Sequence, residues 1–324
     1  MSDIEQYRST FMAHLEQKNK VKEPINLYEP ISYILNLGGK RLRPILTLMA
    51  ADIFEADYRS ALDAALAIEV FHNFSLVHDD IMDGAPLRRG KKTVHEKWGV
   101  NTGILSGDAM LIYSYQLLES YPDAIFKELM QLFGQTAMAV CEGQQYDVDF
   151  EVRDNVTIPE YLYMIQYKTA VLVGAALKMG AIIAERPKEV QDLIYDFGIN
   201  LGTAFQLQDD YLDAFGDPDS FGKQVGGDII ANKKTYMYLK ALEMGSAEQI
   251  QELGHLFSVK PEDTAKKIAT AKELFLETGA VSMTIREIEV YTDKAFSILE
   301  MLPVDGSKKE MLKQFGIALM KREV

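Results

Sequence analysis

Apolar residues recur at spacings of three and four along most of the chain, as in the run Leu62, Ala65, Leu66, Val70 and Phe74. That spacing places the apolar side chains on one face of an α-helix. Strict alternation of apolar and polar residues over a strand length is scarce, and the usual sequence signals of a β-hairpin are missing. The pattern therefore predicts an all-α fold of roughly ten or more helices.

Local signals predict several helix boundaries. Thr157 and Glu160 have the spacing of a capping box with Pro159 in the first turn, and the run 261–263 opens another helix. Breaks between helices are expected at Gly38-Gly39, 84–90, 121–123, Arg186-Pro187 and 216–227.

The longest apolar stretch, 170–184, is interrupted by Lys178 and is shorter than the roughly 20 residues that span a bilayer. We therefore expect a buried helix there and no transmembrane segment. Several helices are apolar on more than one face, which suits either burial or a subunit interface. A homodimer is the default expectation.

Composition narrows the possible functions. No linker or low-complexity tract interrupts the 324 residues, so we expect one large helical domain over 1–324. The 34 basic and 48 acidic residues give a net charge of −14, which opposes binding to nucleic acid or anionic lipid. Cys141 is the only cysteine, and residues 1–12 carry no secretory signal. We expect a cytoplasmic protein without intrachain disulfides.

One acidic pentad occurs twice in predicted helices, as the runs Asp79-Asp80-Ile81-Met82-Asp83 and Asp209-Asp210-Tyr211-Leu212-Asp213. In each copy the first and last aspartates stand at i and i+4 and project from one helix face about 6 Å apart. Two facing pairs in apolar surroundings would repel each other unless cations lay between them. Carboxylates favour Mg²⁺ or Ca²⁺, and Mg²⁺ commonly shares its ligand shell with substrate phosphates. The repeat predicts a metal and diphosphate site; the alternative is a pair of solvated acidic helix ends.

Basic residues cluster beside both pentads: Lys40, Arg43, Arg88, Arg89, Lys168, Lys223 and Lys233. Lys40 and Arg43 are expected on one side of a helix start, at i and i+3. His72 stands two turns before Asp79 on the same helix face. Singly, each basic residue also fits a solvated surface charge, and the histidine a core position. Together, they predict a phosphate-binding site.

In this order, the motifs resemble those of the trans-type prenyl diphosphate synthase family, and the resemblance covers nearly the whole chain. The matching segments are 38–44, 72–90, Lys168-Thr169, 205–213, Gly222-Lys223 and Asn232-Lys233. The resemblance implies an all-helical isoprenoid synthase fold with a central apolar cavity, usually in a homodimer. It also implies head-to-tail condensation of isopentenyl diphosphate with an allylic diphosphate.

The resemblance also implies a role for each candidate residue. It implies that three Mg²⁺ ions are coordinated by Asp79, Asp83 and Asp209, and that bound waters or ligands are supported by Asp80, Asp210 and Asp213. Isopentenyl diphosphate is expected at Lys40, Arg43, His72 and Arg89. The allylic diphosphate is expected at Arg88, Lys168, Lys223 and Lys233, with its carbons facing Thr169 and Gln206.

Product length is predicted from Phe71 and Phe74, which stand about 12 and 7.5 Å above the first pentad by helix rise. An extended isoprene unit spans about 5 Å, so either ring is able to stop the growing chain after a few units. An aromatic residue at the position of Phe74 resembles the pattern of the short-chain members of the family. The resemblance therefore implies geranylgeranyl diphosphate as the first expected product. Farnesyl diphosphate is the second, and ordinary core packing is the other role open to both rings.

Two further functions compete with this interpretation. A terpene cyclase shares the fold and the first pentad but typically carries an Asn/Ser/Glu motif where this chain has its second pentad. A non-catalytic isoprenoid-binding subunit usually lacks aspartates or lysines of the site, and none of the expected ones is missing from the sequence. Both features favour the synthase.

Overall fold

Capping and turn residues set the helix boundaries in the computed structural model, which describes residues 2–216, 225–259 and 263–321. The helices are α1 (Ser2–Lys18), α2 (Ile25–Asn36), α3 (Leu42–Ile53), α4 (Leu62–Met82), α5 (Val94–Trp98), α6 (Val100–Gln116), α7 (Asp123–Val152), α8 (Ile158–Ile165), α9 (Val171–Ile183), α10 (Lys188–Phe215), α11 (Gly227–Ile230), α12 (Tyr236–Met244), α13 (Ala247–Leu256), α14 (Thr264–Glu277), α15 (Ala280–Met301) and α16 (Gly306–Met320). Short 3₁₀ turns cover Tyr58–Ala61 and Leu117–Ser120, and a π-helical turn, Gln166–Ala170, joins α8 to α9. The predicted all-α fold is confirmed.

The predicted caps are present where the structure describes them. The Thr157 hydroxyl accepts the Glu160 N–H at 3.4 Å, and the Glu160 carboxylate accepts the Thr157 N–H at 2.9 Å. Asp263 caps α14 by accepting the Lys266 N–H at 3.0 Å; the other two residues of the predicted start, 261 and 262, lie outside the described residues. The apolar stretch 170–184 forms the buried helix α9, as expected.

A small β-hairpin is present although the usual sequence signals of one are missing. Strand β1 (Leu87–Arg88) pairs antiparallel with β2 (Lys91–Lys92), with Arg88 opposite Lys91. The connecting residues Arg89 and Gly90 have φ values of 52° and 73°, as a two-residue hairpin turn requires. The residue types alone do not indicate this turn, because arginine rarely adopts a positive φ and the usual first residues in it are Asn, Asp or Gly.

The chain forms two compact units. The first contains Met1–Gln135, Ala175–Tyr195 and Leu302–Leu312, and the second contains Thr136–Gly174, Asp196–Met301 and Lys313–Val324. In the first unit, α4 packs against α3 and α6. Two glycines of α6 allow a close approach: a Cβ at Gly107 would overlap the His78 imidazole, and one at Gly103 would lie 2.9 Å from Ile81 Cδ1.

In the second unit, a hydrophobic core forms between α8, α10, α12, α14 and α15. Each of these helices contributes a buried residue to it, in chain order Tyr161, Leu207, Tyr236, Phe275 and Ile288. The Tyr161 hydroxyl donates to Asp210 of α10. The second pentad thus lies on a helix that apolar packing holds in this core.

One helical segment among the described residues, Tyr58–Met82, is long and apolar enough to cross a membrane, with a mean hydropathy of 1.2 over its best window. Of that window, 67% is buried inside the protein, as in the core helix of a folded domain. Its burial accounts for its apolar composition, and it gives only weak evidence for a membrane span.

Candidate active site

The first pentad lies at the C-terminal end of α4. Asp79 and Asp80 belong to its last turn, and Asp83 is the C-cap, whose N–H donates to the Asp79 carbonyl at 2.9 Å. Asp79 is partly exposed, Asp83 is exposed and Asp80 is buried. A helix C-terminus carries a partial negative charge, so a group of carboxylates there is unfavourable without a cation.

Asp80 is bound by Arg88 of the hairpin. Arg88 Nε lies 2.9 and 2.8 Å from the two carboxylate oxygens of Asp80, and the NH2 nitrogen lies 2.7 Å from Oδ1. The same NH2 nitrogen is 3.9 Å from Asp79 Oδ2. Burial raises the pKa of Asp80, and the hydrogen bonds from Arg88 act against that rise. Arg88 thus fixes the middle carboxylate, while Asp79 and Asp83 face towards solvent to different degrees.

The second pentad lies near the C-terminal end of α10, where the same helix-end charge applies. Its middle carboxylate, Asp210, is buried and accepts hydrogen bonds from the Tyr161 hydroxyl and, at 2.8 Å, from Gln206 Nε2. Burial and then the charge of Asp228 raise the pKa of Asp210 to about 8. Asp210 therefore holds a proton at neutral pH unless a cation offsets the local negative charge.

Asp213 connects α10 to the short helix α11. Its Oδ2 accepts the Asp228 N–H at 2.9 Å, and its carbonyl accepts the Gly226 N–H at 2.6 Å. These bonds hold the start of α11 against the second pentad. The supporting role predicted for Asp213 towards bound water remains a prediction.

A π-helical turn presents Lys168 and Thr169. Such turns are rare and occur frequently at functional sites. Lys168 Nζ lies 2.5 Å from Asp147 Oδ2 and forms an ion pair with it. A Cβ at Gly143 of α7 would overlap the backbone of Lys168, so glycine there permits the turn to lie against α7.

Thr169, Gln206 and Asp210 form a chain of hydrogen bonds. The Thr169 hydroxyl donates to Gln206 Oε1 at 3.1 Å, and Gln206 Nε2 donates to Asp210. The amide of Gln206 is therefore held at both ends, with its orientation fixed by its two neighbours.

The loop before α3 carries the first basic cluster. Helix α3 begins at Leu42, and Arg41 is its N-cap with φ 54°. Lys40 therefore precedes the helix and is exposed, so the expected i, i+3 helical relation between Lys40 and Arg43 is wrong. The buried Arg43 Nε has no hydrogen-bond partner within the described part of the chain, which leaves a donor for a ligand.

His72 is brought next to Arg43. Arg43 NH1 lies 3.2 Å from His72 Nε2, and a guanidinium can only donate, so this nitrogen accepts. Burial and then the charge of Arg43 lower the pKa of His72 well below its ordinary value. The imidazole is therefore neutral at pH 7. Because Nε2 accepts a hydrogen bond, the proton is assigned to Nδ1, which is then a donor suited to phosphate.

Arg89 folds back onto the same loop. Its NH1 donates to the Gly38 carbonyl, and a Cβ at Gly39 would lie 2.8 Å from the Arg89 guanidinium carbon. Gly39 also has φ 115°, which favours glycine. The structure thus brings Arg43, His72 and Arg89 around the loop that carries Lys40.

The two lysines predicted near the second pentad have different outcomes. Lys233 Nζ lies 3.8 Å from Asp228 Oδ1, and the Lys233 N–H donates to the Asp228 carbonyl at 2.9 Å. Asp228 is also the residue whose N–H Asp213 accepts, so Lys233 belongs to the same local structure as the second pentad. Lys223 lies outside the described residues.

Phe71 and Phe74 are buried on α4 and belong to an aromatic cluster. Their ring centroids are 5.5 Å apart, and Phe71 packs edge-on against Phe133 of α7 at 5.3 Å. Phe74 contacts the His78 ring at 4.9 Å, and Tyr115 contacts Phe133 at 4.8 Å. The two α4 rings of this apolar cluster lie about one and a half and two helical turns before Asp79 of the first pentad.

The predicted residues fall into two groups within the two units. The first unit holds Lys40, Arg43, Phe71, His72, Phe74, Asp79, Asp80, Asp83, Arg88 and Arg89. The second unit holds Lys168, Thr169, Gln206, Asp209, Asp210, Asp213 and Lys233. Within each group the structure shows contacts among several members.

Sequence reasoning missed the polar side chains that hold these groups in place: Arg41, Glu69, Asn73, Tyr161 and Asp228. Tyr161 belongs to an apolar helical pattern and has the sequence context of a core residue. Glu69 is a carboxylate in a helix whose buried positions are otherwise mostly apolar, and that irregularity was the available signal.

The acidic residues of both pentads fit a divalent cation. They lie at negative helix ends, and burial raises the pKa of Asp80 and Asp210, so a nearby cation would favour the charged form of both. In the part of the chain that the structure describes, no three His, Cys, Asp or Glu side chains form a complete metal-ligand group. Oxygens of a diphosphate and of water would complete the shell, as Mg²⁺ commonly requires.

Fold and site together define a class: all-α enzymes with two aspartate pentads and clustered basic residues. A profile of the polyprenyl synthetase family matches residues 24–274, and the chain belongs to that family. It is a short-chain prenyltransferase of the trans-isoprenyl diphosphate synthase type.

Similar proteins share almost the whole length of the chain. A geranylgeranyl pyrophosphate synthase from Geoglobus acetivorans is 36% identical over 302 residues, or 92% of each chain. A geranylfarnesyl diphosphate synthase from Natronomonas pharaonis is 34% identical over 339 residues, covering 99% of this chain and 97% of the relative. A crystal structure of a geranylgeranyl pyrophosphate synthase is 53% identical, covers 99% of both chains and superposes with a TM-score of 0.96.

Proposed function

We propose that this prenyltransferase condenses isopentenyl diphosphate head-to-tail with allylic diphosphates and that its main product is geranylgeranyl diphosphate. The observation that supports the reaction most directly is the acidic pentad at the C-terminal ends of α4 and α10, with its middle carboxylate buried in both copies. The geranylgeranyl-forming relatives support the product.

Mg²⁺ is the metal we propose, held by Asp79, Asp83 and Asp209. When bound, it would supply positive charge to the departing diphosphate of the allylic substrate. Asp80 and Asp210 would keep the two pentads in place through Arg88 and through Tyr161, respectively.

The protein's own cations would stabilise the same leaving group. We propose that Arg88, Lys168, Lys223 and Lys233 hold the allylic diphosphate as its carbon–oxygen bond breaks. Asp147 fixes the Lys168 ammonium, so little reorganisation is needed when negative charge develops on the leaving oxygen. The oxygens of Thr169 and Gln206 present dipoles that would stabilise the allylic cation.

Isopentenyl diphosphate would bind to Lys40, Arg43, His72 and Arg89. Neutral His72 donates through Nδ1 and Arg43 through Nε, so both recognise phosphate oxygen without a proton transfer. The double bond then attacks the cation, and the departing diphosphate takes the proton that is lost. No protein side chain serves as the base in this scheme.

A homodimer is part of the proposal. On α6, Leu105 and Ile112 are each 60% exposed, although both are large apolar residues one heptad apart. An exposed apolar stripe of this kind favours a partner subunit. Light scattering after size-exclusion chromatography should give the mass of a dimer, and Leu105→Glu with Ile112→Glu should shift it towards the monomer. A monomeric parent protein would contradict the proposal.

Product analysis tests the reaction. The purified protein is incubated with Mg²⁺, isopentenyl diphosphate and dimethylallyl, geranyl or farnesyl diphosphate in separate reactions, and extracted prenyl chains are identified by mass spectrometry. We expect geranylgeranyl chains from all three. Farnesyl or geranylfarnesyl chains as the main product would retain the reaction and overturn the product length. Consumption of an allylic diphosphate without isopentenyl diphosphate would instead indicate a cyclase, and absence of turnover a non-catalytic protein.

A further inference from the structure

A buried polar cluster lies beneath the loop that carries Lys40, and the proposed mechanism does not use it. We call Arg41, Glu69 and Asn73 the Arg41 cluster; their exposed fractions are 5%, 3% and 0%. Charged side chains are rarely buried to this degree, and a buried ion pair often adds little stability. Stability alone therefore does not explain the burial of Arg41 and Glu69.

The Arg41 cluster connects three helices. Arg41 NH1 donates to Glu69 of α4, and NH2 donates to the Leu35 carbonyl in the last turn of α2. Asn73 Nδ2 donates to Glu69 Oε1 at 3.0 Å and to the Glu69 carbonyl at 2.8 Å. Arg41 is itself the N-cap of α3, so one guanidinium fixes the end of α2 and the start of α3 against α4.

The loop between α2 and α3 needs such a fixed point. Gly38, Gly39 and Arg41 have φ values of 85°, 115° and 54°. Left-handed residues in close succession form no regular hydrogen-bonding pattern, and a non-glycine residue adopts this conformation only when its surroundings hold it. The hydrogen bonds of the buried Arg41 side chain to Glu69 and to the Leu35 carbonyl hold this loop in place.

The proposed ligands of isopentenyl diphosphate surround this anchor in the sequence and in space. Lys40 and Arg43 flank Arg41, and His72 follows Glu69 by one turn on α4. Arg89 donates to the Gly38 carbonyl of the same loop. Glu69 is also a counter-charge for neighbouring cations: burial lowers the pKa of Arg43 and of Arg89, and the Glu69 carboxylate acts against both changes.

We infer that the Arg41 cluster is a positioning device for isopentenyl diphosphate: it sets Lys40, Arg43 and the Gly38 carbonyl before the diphosphate binds, without touching the substrate. The inference rests on the proposed role of Lys40, Arg43, His72 and Arg89 in binding this substrate. A device of this kind lowers the cost of assembling several like charges around one anion.

Glu69→Gln is the first test, because glutamine keeps the shape and the bond from Asn73 but loses the charge. We expect the KM for isopentenyl diphosphate to rise about tenfold, because this is the effect expected from the loss of one charge-assisted hydrogen bond. The KM for farnesyl diphosphate should change less than about twofold, because Arg88 is held by Asp80 and Lys168 by Asp147, and neither acid belongs to the Arg41 cluster. Calorimetric titration with isopentenyl diphosphate alone should show the same loss without turnover.

A second variant separates positioning from stability. Glu69→Gln leaves Arg41 buried without its counter-charge, whereas Arg41→Gln with Glu69→Gln removes both charges, and replacing a whole buried ion pair is often neutral for stability. We expect the double variant to recover most of the lost thermal stability but not the affinity for isopentenyl diphosphate. Recovery of both would show that the cluster only stabilises the fold and would overturn the inference.

Two controls complete the experiment. Asp192→Asn breaks the pair with Lys178 (2.5 Å) in the same unit and should leave both KM values unchanged. Arg43→Ala tests the proposed substrate role directly. If Arg43→Ala leaves the KM for isopentenyl diphosphate unchanged, the proposed binding site itself is wrong. If it raises that KM while Glu69→Gln does not, the site stands and the positioning role is refuted.

Discussion

The middle aspartates of the two pentads show how equal sequence positions acquire different chemistry. Asp80 is bound by the Arg88 guanidinium, a charged partner that favours the carboxylate form. Asp210 has two neutral partners, Tyr161 and Gln206, and a nearby carboxylate, so its pKa rises to about 8. The two copies of the motif therefore place their middle carboxylates in different electrostatic surroundings, one beside a cation and one beside a second carboxylate.

At the same scale, Phe74→Ala is expected to lengthen the product. Phe74 packs on Phe71 at 5.5 Å, and Phe71 packs on Phe133 behind it, so removing the first ring opens about one isoprene unit of space, on the order of 5 Å. Phe71→Ala added to Phe74→Ala should lengthen the product further. Mass spectrometry of extracted prenyl chains measures both effects.

Phe11→Ala is the matched control for this series. Phe11 is fully buried on α1 in the same unit, and its truncation should cost about 3–5 kcal/mol of stability, as for any buried ring. Its product length should not change. If single and double variants at Phe74 and Phe71 give the parent's product, these rings belong to the core alone.

At the scale of helices, the close packing of α4 and α6 determines where the first pentad lies. His78, adjacent to Asp79, lies against the α6 backbone, with Nε2 3.2 Å from the Ile104 carbonyl. Gly107 provides the space for its ring. The position of the acidic end of α4 therefore depends on a glycine of a different helix.

Gly107→Ala should displace His78 and impair both stability and turnover. The added Cβ would overlap an imidazole enclosed between two helices, and overpacking of this kind typically costs about 1–3 kcal/mol. Gly134→Ala is the control, because an added Cβ at this helical glycine would meet no atoms within 4 Å and alanine favours helices. Thermal unfolding should show opposite signs for the two variants; equal effects would refute the packing explanation.

A cluster at the start of α4 makes stability depend on acid pH. Asp63 accepts from His14 Nε2 at 2.8 Å and from Ser120 at 3.0 Å, and Lys18 Nζ lies 3.1 Å away. The hydrogen bond to His14 contributes most to lowering the pKa of Asp63 to about 2. Because the folded pKa lies below the unfolded value of about 3.9, the stabilisation is present above pH 4 and is lost as pH falls towards 2.

Asp63→Asn is therefore expected to destabilise the protein by about 1 kcal/mol at pH 6, since solvent screens this partly exposed group, and by progressively less below pH 4. Urea unfolding of parent and variant at pH 6, 4 and 3 measures the difference. A difference that stays constant over this range would show that the ion pairs of Asp63 do not cause it.

Local rules predicted the elements better than the contacts between them. The Thr157 cap, the buried helix α9 and the pentads followed from residue spacing, because helical periodicity and capping act over a few positions. The hairpin at Arg89 and the left-handed Arg41 did not follow, because tertiary contacts hold these residues in conformations that their side chains rarely adopt. Contacts such as Tyr161 with Asp210 join distant positions that no local pattern pairs.

At the scale of the whole molecule, charge is the property that most constrains function. The net charge of −14 means that an anionic substrate is attracted only where basic residues are concentrated. The Lys40 loop and the hairpin provide such places, and Arg88 of the hairpin is bonded to the first acidic pentad. Metal and diphosphate are thus expected to bind cooperatively. The metal would reduce the repulsion between the diphosphate and the aspartates, and the diphosphate would add negative charge that attracts the metal.

This cooperativity gives a test of the metal site that needs no turnover. Thermal unfolding is followed in four conditions: with EDTA, with Mg²⁺, with inorganic diphosphate plus EDTA, and with Mg²⁺ and diphosphate together. Because Mg²⁺ is commonly held by one or two carboxylates together with substrate phosphates, Mg²⁺ alone should stabilise the protein little. Mg²⁺ with diphosphate should raise Tm by more than the sum of the separate shifts, as expected when a ligand binds only the folded state.

Asp79→Asn and Asp209→Asn should each remove the excess if both pentads act on one diphosphate. Persistence of the full excess in either variant would show that its pentad is not needed for the metal and diphosphate site, and the proposed mechanism would then have to work with the other pentad alone.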